Sequence, residues 1–235
     1  MKNQGMIYYA FCSGKSETPG KYLEYQRRIA DQILDYGFRK KFGIQFEREK
    51  LKKGEHGKPC WQGEEKVCFN VSNTEGLVAC ALSECEVGVD AEKIRRIRMP
   101  VVRRSCSLQE LSYIFEKEAE WNLQEHIQNR GTENLENSLD FWKSKRELEE
   151  REQERFFQIW TLKESYLKMT GEGLHFPIRD VEFKRKEIES GLNISCNYTA
   201  FFQQKKIKEY WLTVCTQEER EILWEEVRLE DLRGK

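Results

Sequence analysis

Apolar and polar positions along the chain change period several times, and each period predicts an element. An aromatic-rich apolar run over 6–12 predicts a buried strand, broken by 13–20. Tyr22, Tyr25, Ile29, Ile33 and Tyr36 then recur at three- and four-residue spacing, which predicts a long amphipathic helix from Lys21 to about Phe42. Val67, Phe69 and Val71 alternate, Ser72-Asn73-Thr74-Glu75-Gly76 reads as a turn, and an apolar run over 77–82 completes a hairpin. A third strand is expected over 86–92. Ser107 and Glu110 have the spacing of a capping box, so a helix starts there and runs through Ile114 and Phe115. Charge dominates 117–155, where surface helices around a loop at Gly131-Thr132-Glu133-Asn134 are expected. Phe156, Phe157, Trp160 and Leu167 supply the buried stripe of a further helix, with Trp160 as its wedge, and Gly171-Glu172-Gly173 stops it. Strands follow at 181–183, 193–198, 210–216 and near 222–227.

The second half thus repeats the plan of the first, a helix and then several strands. This predicts an α+β protein of two similar halves, 1–84 and 85–235, with a charged insertion at about 117–155 in the second.

Composition narrows the class. A chain of 235 residues can bury a sizeable core, and acids and bases nearly cancel, leaving a formal net charge of −1 that says nothing about partners. Local charge says more: 39–58 holds eight Lys/Arg against three Glu, and 116–154 holds twelve Asp/Glu against six Lys/Arg. The eight cysteines are scattered without a CxxC pair and fall mostly in apolar runs, the pattern of reduced core residues. With no secretion-signal plan at the N-terminus and no apolar run long enough to span a bilayer, a cytoplasmic protein without a membrane segment is expected.

Candidate chemistry gathers at three places. The apolar strand over 86–92 ends in Asp90 and Glu92, which share a strand face about 6.6 Å apart. Gly88 and Ala91 keep their neighbourhood small. On the helix over 160–168, Lys163, Glu164 and Lys168 gather on a charged side, while Leu162 and Tyr166 face inward. A solvated Glu-to-Lys pair explains the helix alone, and a strand exit into solvent explains the acids alone. Gly57-Lys58-Pro59 presents a lysine on a tight turn, and Arg27 and Arg28 lie on the polar face of the first long helix.

Taken in order, Gly57-Lys58-Pro59, Phe69-Asn70-Val71-Ser72, Gly88-Val89-Asp90-Ala91-Glu92, the nine residues from Trp160 to Lys168, and Gly171-Glu172-Gly173-Leu174 resemble the 4′-phosphopantetheinyl transferases, of the larger monomeric type that activates surfactin synthetase. The resemblance covers roughly 22–232. It implies a pseudo-twofold fold, each half a long helix on a small, mostly antiparallel sheet, with coenzyme A and Mg²⁺ (or Mn²⁺) in the cleft between them. It also implies the reaction: a serine of an apo acyl- or peptidyl-carrier protein attacks the β-phosphate of coenzyme A, giving phosphopantetheinyl serine and 3′,5′-ADP.

Asp90, Glu92 and Glu164 then fit as metal ligands, since Mg²⁺ takes carboxylate oxygens together with substrate phosphates. Glu164 is implied as the base for the serine proton, directly or through a bound water, and Lys168, helped by Lys163, as the partner of the leaving phosphate. Lys58 and Pro59 would border the adenine, Ser72 and Asn73 approach the phosphates, and Arg27 or Arg28 reach the 3′-phosphate. Asn73 departs from the family pattern, where histidine commonly follows that serine; asparagine cannot become cationic. The carrier is expected to be a small acidic protein that binds transiently. Two other classes stay open: a non-catalytic binding or scaffold protein of the same fold, supported by Asn73, and a nucleic-acid-binding protein using 39–58, which carries no ladder of stacking aromatics.

Overall fold

The computed structural model of the chain describes residues 4–12, 18–54, 56–116, 146–173, 176–188 and 191–232. They form two units: Met1–Lys93 with Thr161–Phe176 and Tyr198–Lys235, and Ile94–Trp160 with Pro177–Asn197. The fold is mixed α+β, of helices and small, largely antiparallel sheets.

In the first unit, β1 (Gln4–Phe11) is followed by α1 (Pro19–Gly37). Thr18 caps α1 by accepting from the Lys21 backbone N–H, and Pro19 opens the first turn, where its missing N–H is no loss. The α-helix passes into a π-helical turn (Phe38–Phe42) that carries the helical run to its expected end, closed by Gly43 at φ +71°. After β2 (Leu51–Lys53) and β3 (Pro59–Trp61) comes the expected hairpin of β4 (Cys68–Thr74) and β5 (Leu77–Ser83). The segment expected as a turn over 72–76 is mostly strand, so Ser72 sits inside β4. Next come β6 (Val87–Lys93) and, later in the chain, β9 (Phe201–Ile207), β10 (Tyr210–Thr216) and β11 (Glu221–Glu226).

Two larger sheets result, one ordered β11-β1-β5-β4 and the other β6-β10-β9, while β2 and β3 form a separate antiparallel pair. On the first sheet, Tyr8, Ala10, Val78, Cys80 and Leu82 pack against Ile29, Ile33 and Leu34 of α1. From its other face Ile7, Leu77, Ala79 and Ala81 meet Val87, Val89, Ala91, Leu212 and Val214 of the second sheet. Every residue of β5 is buried, as expected of a strand covered on both faces. All eight cysteines are unbridged, and Cys12, Cys80, Cys85, Cys106 and Cys215 are buried.

Between β4 and β6 side chains replace the backbone ladder. Asn70 Oδ1, Ser72 Oγ and Thr74 Oγ1 accept the backbone N–H groups of Val89, Ala91 and Lys93 at 3.0, 3.1 and 3.3 Å. Alternate polar residues on one strand thus fix the register of the other and join the two sheets.

The second unit holds α2 (Met99–Ser105), α3 (Leu108–Phe115), the start of α4 (Glu150–Thr170) and a hairpin of β7 (Phe183–Ile188) and β8 (Gly191–Cys196). The capping box is present in full, and the second oxygen of Glu110 accepts the Phe183 N–H at 3.0 Å. Trp160, expected as a buried wedge, is only half-buried and packs on Phe156. α4 begins at Glu150, earlier than its apolar stripe. The helices expected after Lys117 and their break at Gly131 fall on residues outside those described, as does Leu174. β2, β3, α2 and β9 depart from the sequence expectation, which placed no element there.

Candidate active site

On β6, Val87, Val89 and Ala91 enter the core between the sheets, which turns Gly88, Asp90 and Glu92 to the opposite face. The last part of α4, from Thr161, lies against that face. A Cβ on Gly88 would stand 2.0 Å from the Ser165 carbonyl oxygen and 2.4 Å from the Met169 nitrogen. Only glycine lets the helix backbone come this close, so Gly88 sets how near Glu164 and Lys168 are to Asp90.

Lys168 Nζ donates to Asp90 Oδ1 at 2.7 Å and to Ser72 Oγ at 2.9 Å. Ser72 Oγ in turn donates to Asp90 Oδ1 at 3.0 Å and accepts the Ala91 N–H. A hydroxyl has one donor and two acceptor sites, and Ser72 uses all three. Asp90 is almost wholly buried, and its Oδ2 has no hydrogen-bond partner. Glu164 is half-buried one helical turn before Lys168. Burial pushes its carboxyl up to about 7; the Asp90 charge adds to the rise, Lys168 opposes it, and Glu92 adds further.

Of these groups, Glu164 and Lys168 border a pocket of about 270 Å³. Glu164, Lys168 and Asn70 line it, as does the loop of His56, Gly57, Lys58 and Pro59. Lys58 contributes its stem, because its ammonium is held by Glu86 Oε2 at 2.5 Å and the Met169 carbonyl at 2.7 Å.

The sequence-predicted residues therefore separate into two groups. Asp90, Glu164, Lys168 and Ser72 meet, Glu92 lies within electrostatic reach of Glu164, and Lys58 and Pro59 border the pocket. Lys163, expected beside Glu164 and Lys168, is instead fully buried and does not line the pocket. A one-residue step along a helix turns a side chain by about 100°, enough to move it from pocket to core. Asn73 falls on the other side of β4 from Ser72 and donates to Gln26 Oε1 at 3.1 Å. Arg27 and Arg28 are exposed on α1, the latter over the Tyr25 ring. Sequence reasoning missed Asn70, His56 and Glu86. The alternation of Asn70, Ser72 and Thr74 was the available signal for the first. In the basic stretch, Arg39, Lys40, Lys41, Arg48, Lys50 and Lys58 each meet a carboxylate.

A sequence model of the 4′-phosphopantetheinyl transferase superfamily matches residues 86–215, more than half of the chain, from the start of the Asp90 strand to the end of β10. The chain belongs to that superfamily. It is 27% identical over 140 residues to the 4′-phosphopantetheinyl transferase gsp of Aneurinibacillus migulanus, covering 60% of this chain and 46% of that protein. It is 25% identical over 124 residues to the 4′-phosphopantetheinyl transferase Sfp of Bacillus subtilis (strain 168), covering 53% and 42%. A further 4′-phosphopantetheinyl transferase of Bacillus subtilis is 21% identical over 159 residues, covering 68% and 58%. The matched stretch thus spans about half the length of these relatives.

The superfamily implies a divalent metal, and the residues present fit one. The donors are carboxylate oxygens, the set Mg²⁺ prefers. Asp90 Oδ2 is buried without a partner, and the Glu164 carboxyl is raised first by burial and then by the charges of Asp90 and Glu92, which a cation would offset. Among the described residues no three acidic, histidine or cysteine side chains already form a closed ligand cluster. The Lys168 ammonium is the cation that Asp90 meets.

Proposed function

We propose that this superfamily member transfers the 4′-phosphopantetheine group of coenzyme A to a serine of an apo acyl- or peptidyl-carrier protein. The observation that carries the proposal is the Asp90 carboxylate, with one oxygen on Lys168 and Ser72 and the other unpartnered, beside a Glu164 that titrates near neutral pH. The serine oxygen forms a bond to the β-phosphorus, the bond from that phosphorus to the bridging oxygen breaks, and 3′,5′-ADP leaves. Glu164 takes the serine proton; a base whose pKa lies close to the working pH suits that task. Lys168 offsets charge on the departing phosphate. Asp90, Glu92 and Glu164 would hold Mg²⁺, which when bound supplies positive charge to the pyrophosphate.

Pro59 and the backbone of its loop border the adenine, Ser72 and Asn73 approach the phosphates, and the exposed Arg27 or Arg28 reaches the 3′-phosphate. Lys163 is left out of the coenzyme A contacts because it is buried. A duplicated plan with halves 1–84 and 85–235 belongs to the same reading, as do a monomeric enzyme, a cytoplasmic setting and a transient acidic carrier. Among the described residues no helix is long and apolar enough to cross a membrane. The test is nucleotide release: 3′,5′-ADP should appear only when coenzyme A, Mg²⁺ and an apo-carrier are all present. No release with a panel of fatty-acid, polyketide and peptide carriers sinks the proposal.

A further inference from the structure

Lys58 stands on the loop that borders the pocket, yet its charge is spent elsewhere. Its ammonium lies 2.5 Å from Glu86 Oε2, 2.7 Å from the Met169 carbonyl and 3.4 Å from the Val87 carbonyl. An ammonium has three N–H donors and no acceptor, so three acceptors use its capacity. Met169 belongs to the last turn of α4, where carbonyls lack partners within the helix and carry the negative end of its dipole. Gly171 closes that helix at φ +80°, and the Lys58 stem crosses it, with Cδ 3.3 Å from where a Cβ would be. Glu86 and Val87 are the entry to β6. Lys58 therefore ties the end of the helix bearing Glu164 and Lys168 to the start of the strand bearing Asp90 and Glu92.

We propose that Lys58 is a positioning residue: its ammonium sets the separation of the two acid-bearing elements and does not bind a coenzyme A phosphate. The inference rests on the transfer reaction proposed above for its kinetic consequence, but the link itself rests on geometry alone. It also gives Glu86, half-exposed and outside the chemistry, the task of holding Lys58 in place.

Lys58→Met and Glu86→Gln test it together, because the two explanations give Glu86→Gln opposite signs. If Lys58 binds phosphate, removing the competing carboxylate frees the ammonium and tightens coenzyme A binding. If Lys58 is the link, both variants leave the calorimetric Kd for coenzyme A within about twofold and lower kcat by about 10- to 100-fold, the usual effect of losing a group that orients ligating side chains. Both also speed amide exchange over residues 165–171, and Lys58→Arg restores part of the protection and of kcat. The proposal is overturned if Lys58→Met weakens coenzyme A binding by about tenfold or more, if Glu86→Gln tightens it, or if exchange over 165–171 is unchanged. A wild-type protein that transfers nothing to any carrier defeats the reaction assignment, and the exchange experiment then decides the link by itself.

Discussion

Replacing Glu164 by glutamine keeps the shape of the side chain and removes its titration, so the difference in stability between the two proteins isolates one carboxyl. Its pKa rises from an ordinary 4.5 to about 7 on folding. A raised folded-state pKa means stability that is fully present below the unfolded value and is lost as pH climbs through the folded one. The loss therefore develops between about pH 4.5 and pH 7. At about 1.4 kcal/mol per unit it amounts to about 3 kcal/mol above neutrality. Urea unfolding with a chelator present should find the two proteins similar near pH 4 and the Glu164→Gln variant more stable by about 3 kcal/mol near pH 8. Mg²⁺ should shrink that gap, because a cation beside Asp90 and Glu164 favours the ionised form. Parallel curves for the two proteins across that range would mean that folding does not raise the Glu164 carboxyl.

Lys168→Met leaves Asp90 with a hydroxyl as its remaining side-chain donor, and should lower stability by about 1–3 kcal/mol in urea unfolding and carrier modification by about 10²–10³ in rate. Gly88→Ala sets a methyl against helix backbone, which cannot swing aside. Its expected cost is at or beyond the upper end of the roughly 1–3 kcal/mol of overpacking, with weaker Mn²⁺ binding read by electron paramagnetic resonance. Ser107→Ala removes half of the α3 capping box and should cost about 1 kcal/mol while leaving coenzyme A affinity unchanged by calorimetry; a loss of affinity contradicts its purely structural assignment.

The face on which Asp90 and Glu92 meet was legible in the sequence, because a strand alternates whatever it pairs with. Its sheet was not: Val87, Val89 and Ala91 would look the same beside the β4–β5 hairpin, and the observed place depends on Asn70, Ser72 and Thr74 pairing with β6 across the fold. The capping box of α3 and the stripe of α1 are local patterns, and both appear as elements. β9 escaped notice because Gln203, Gln204, Lys205 and Lys206 make a polar run, which an edge strand tolerates. α2 is too short for a period to show, with Pro100 in its first turn as the remaining signal. Lys163 misled for a different reason: a charged helix residue is expected outside, and here it is wholly enclosed. Lys58 was recognisable as a residue of interest, but its partners Glu86 and Met169 lie 28 and 111 residues away in the chain.

The proposed reaction is the modification of a carrier serine with coenzyme A at the pocket lined by Glu164 and Lys168, beside the buried Asp90. Intact-mass spectrometry of an apo-carrier after incubation with coenzyme A and Mg²⁺ tests it most directly, with wild type, wild type plus chelator, and Glu164→Gln side by side. A gain of one phosphopantetheine is expected on the carrier with wild type, abolished by chelator and by the substitution. An unmodified carrier with wild type, or an undiminished gain in Glu164→Gln, contradicts it.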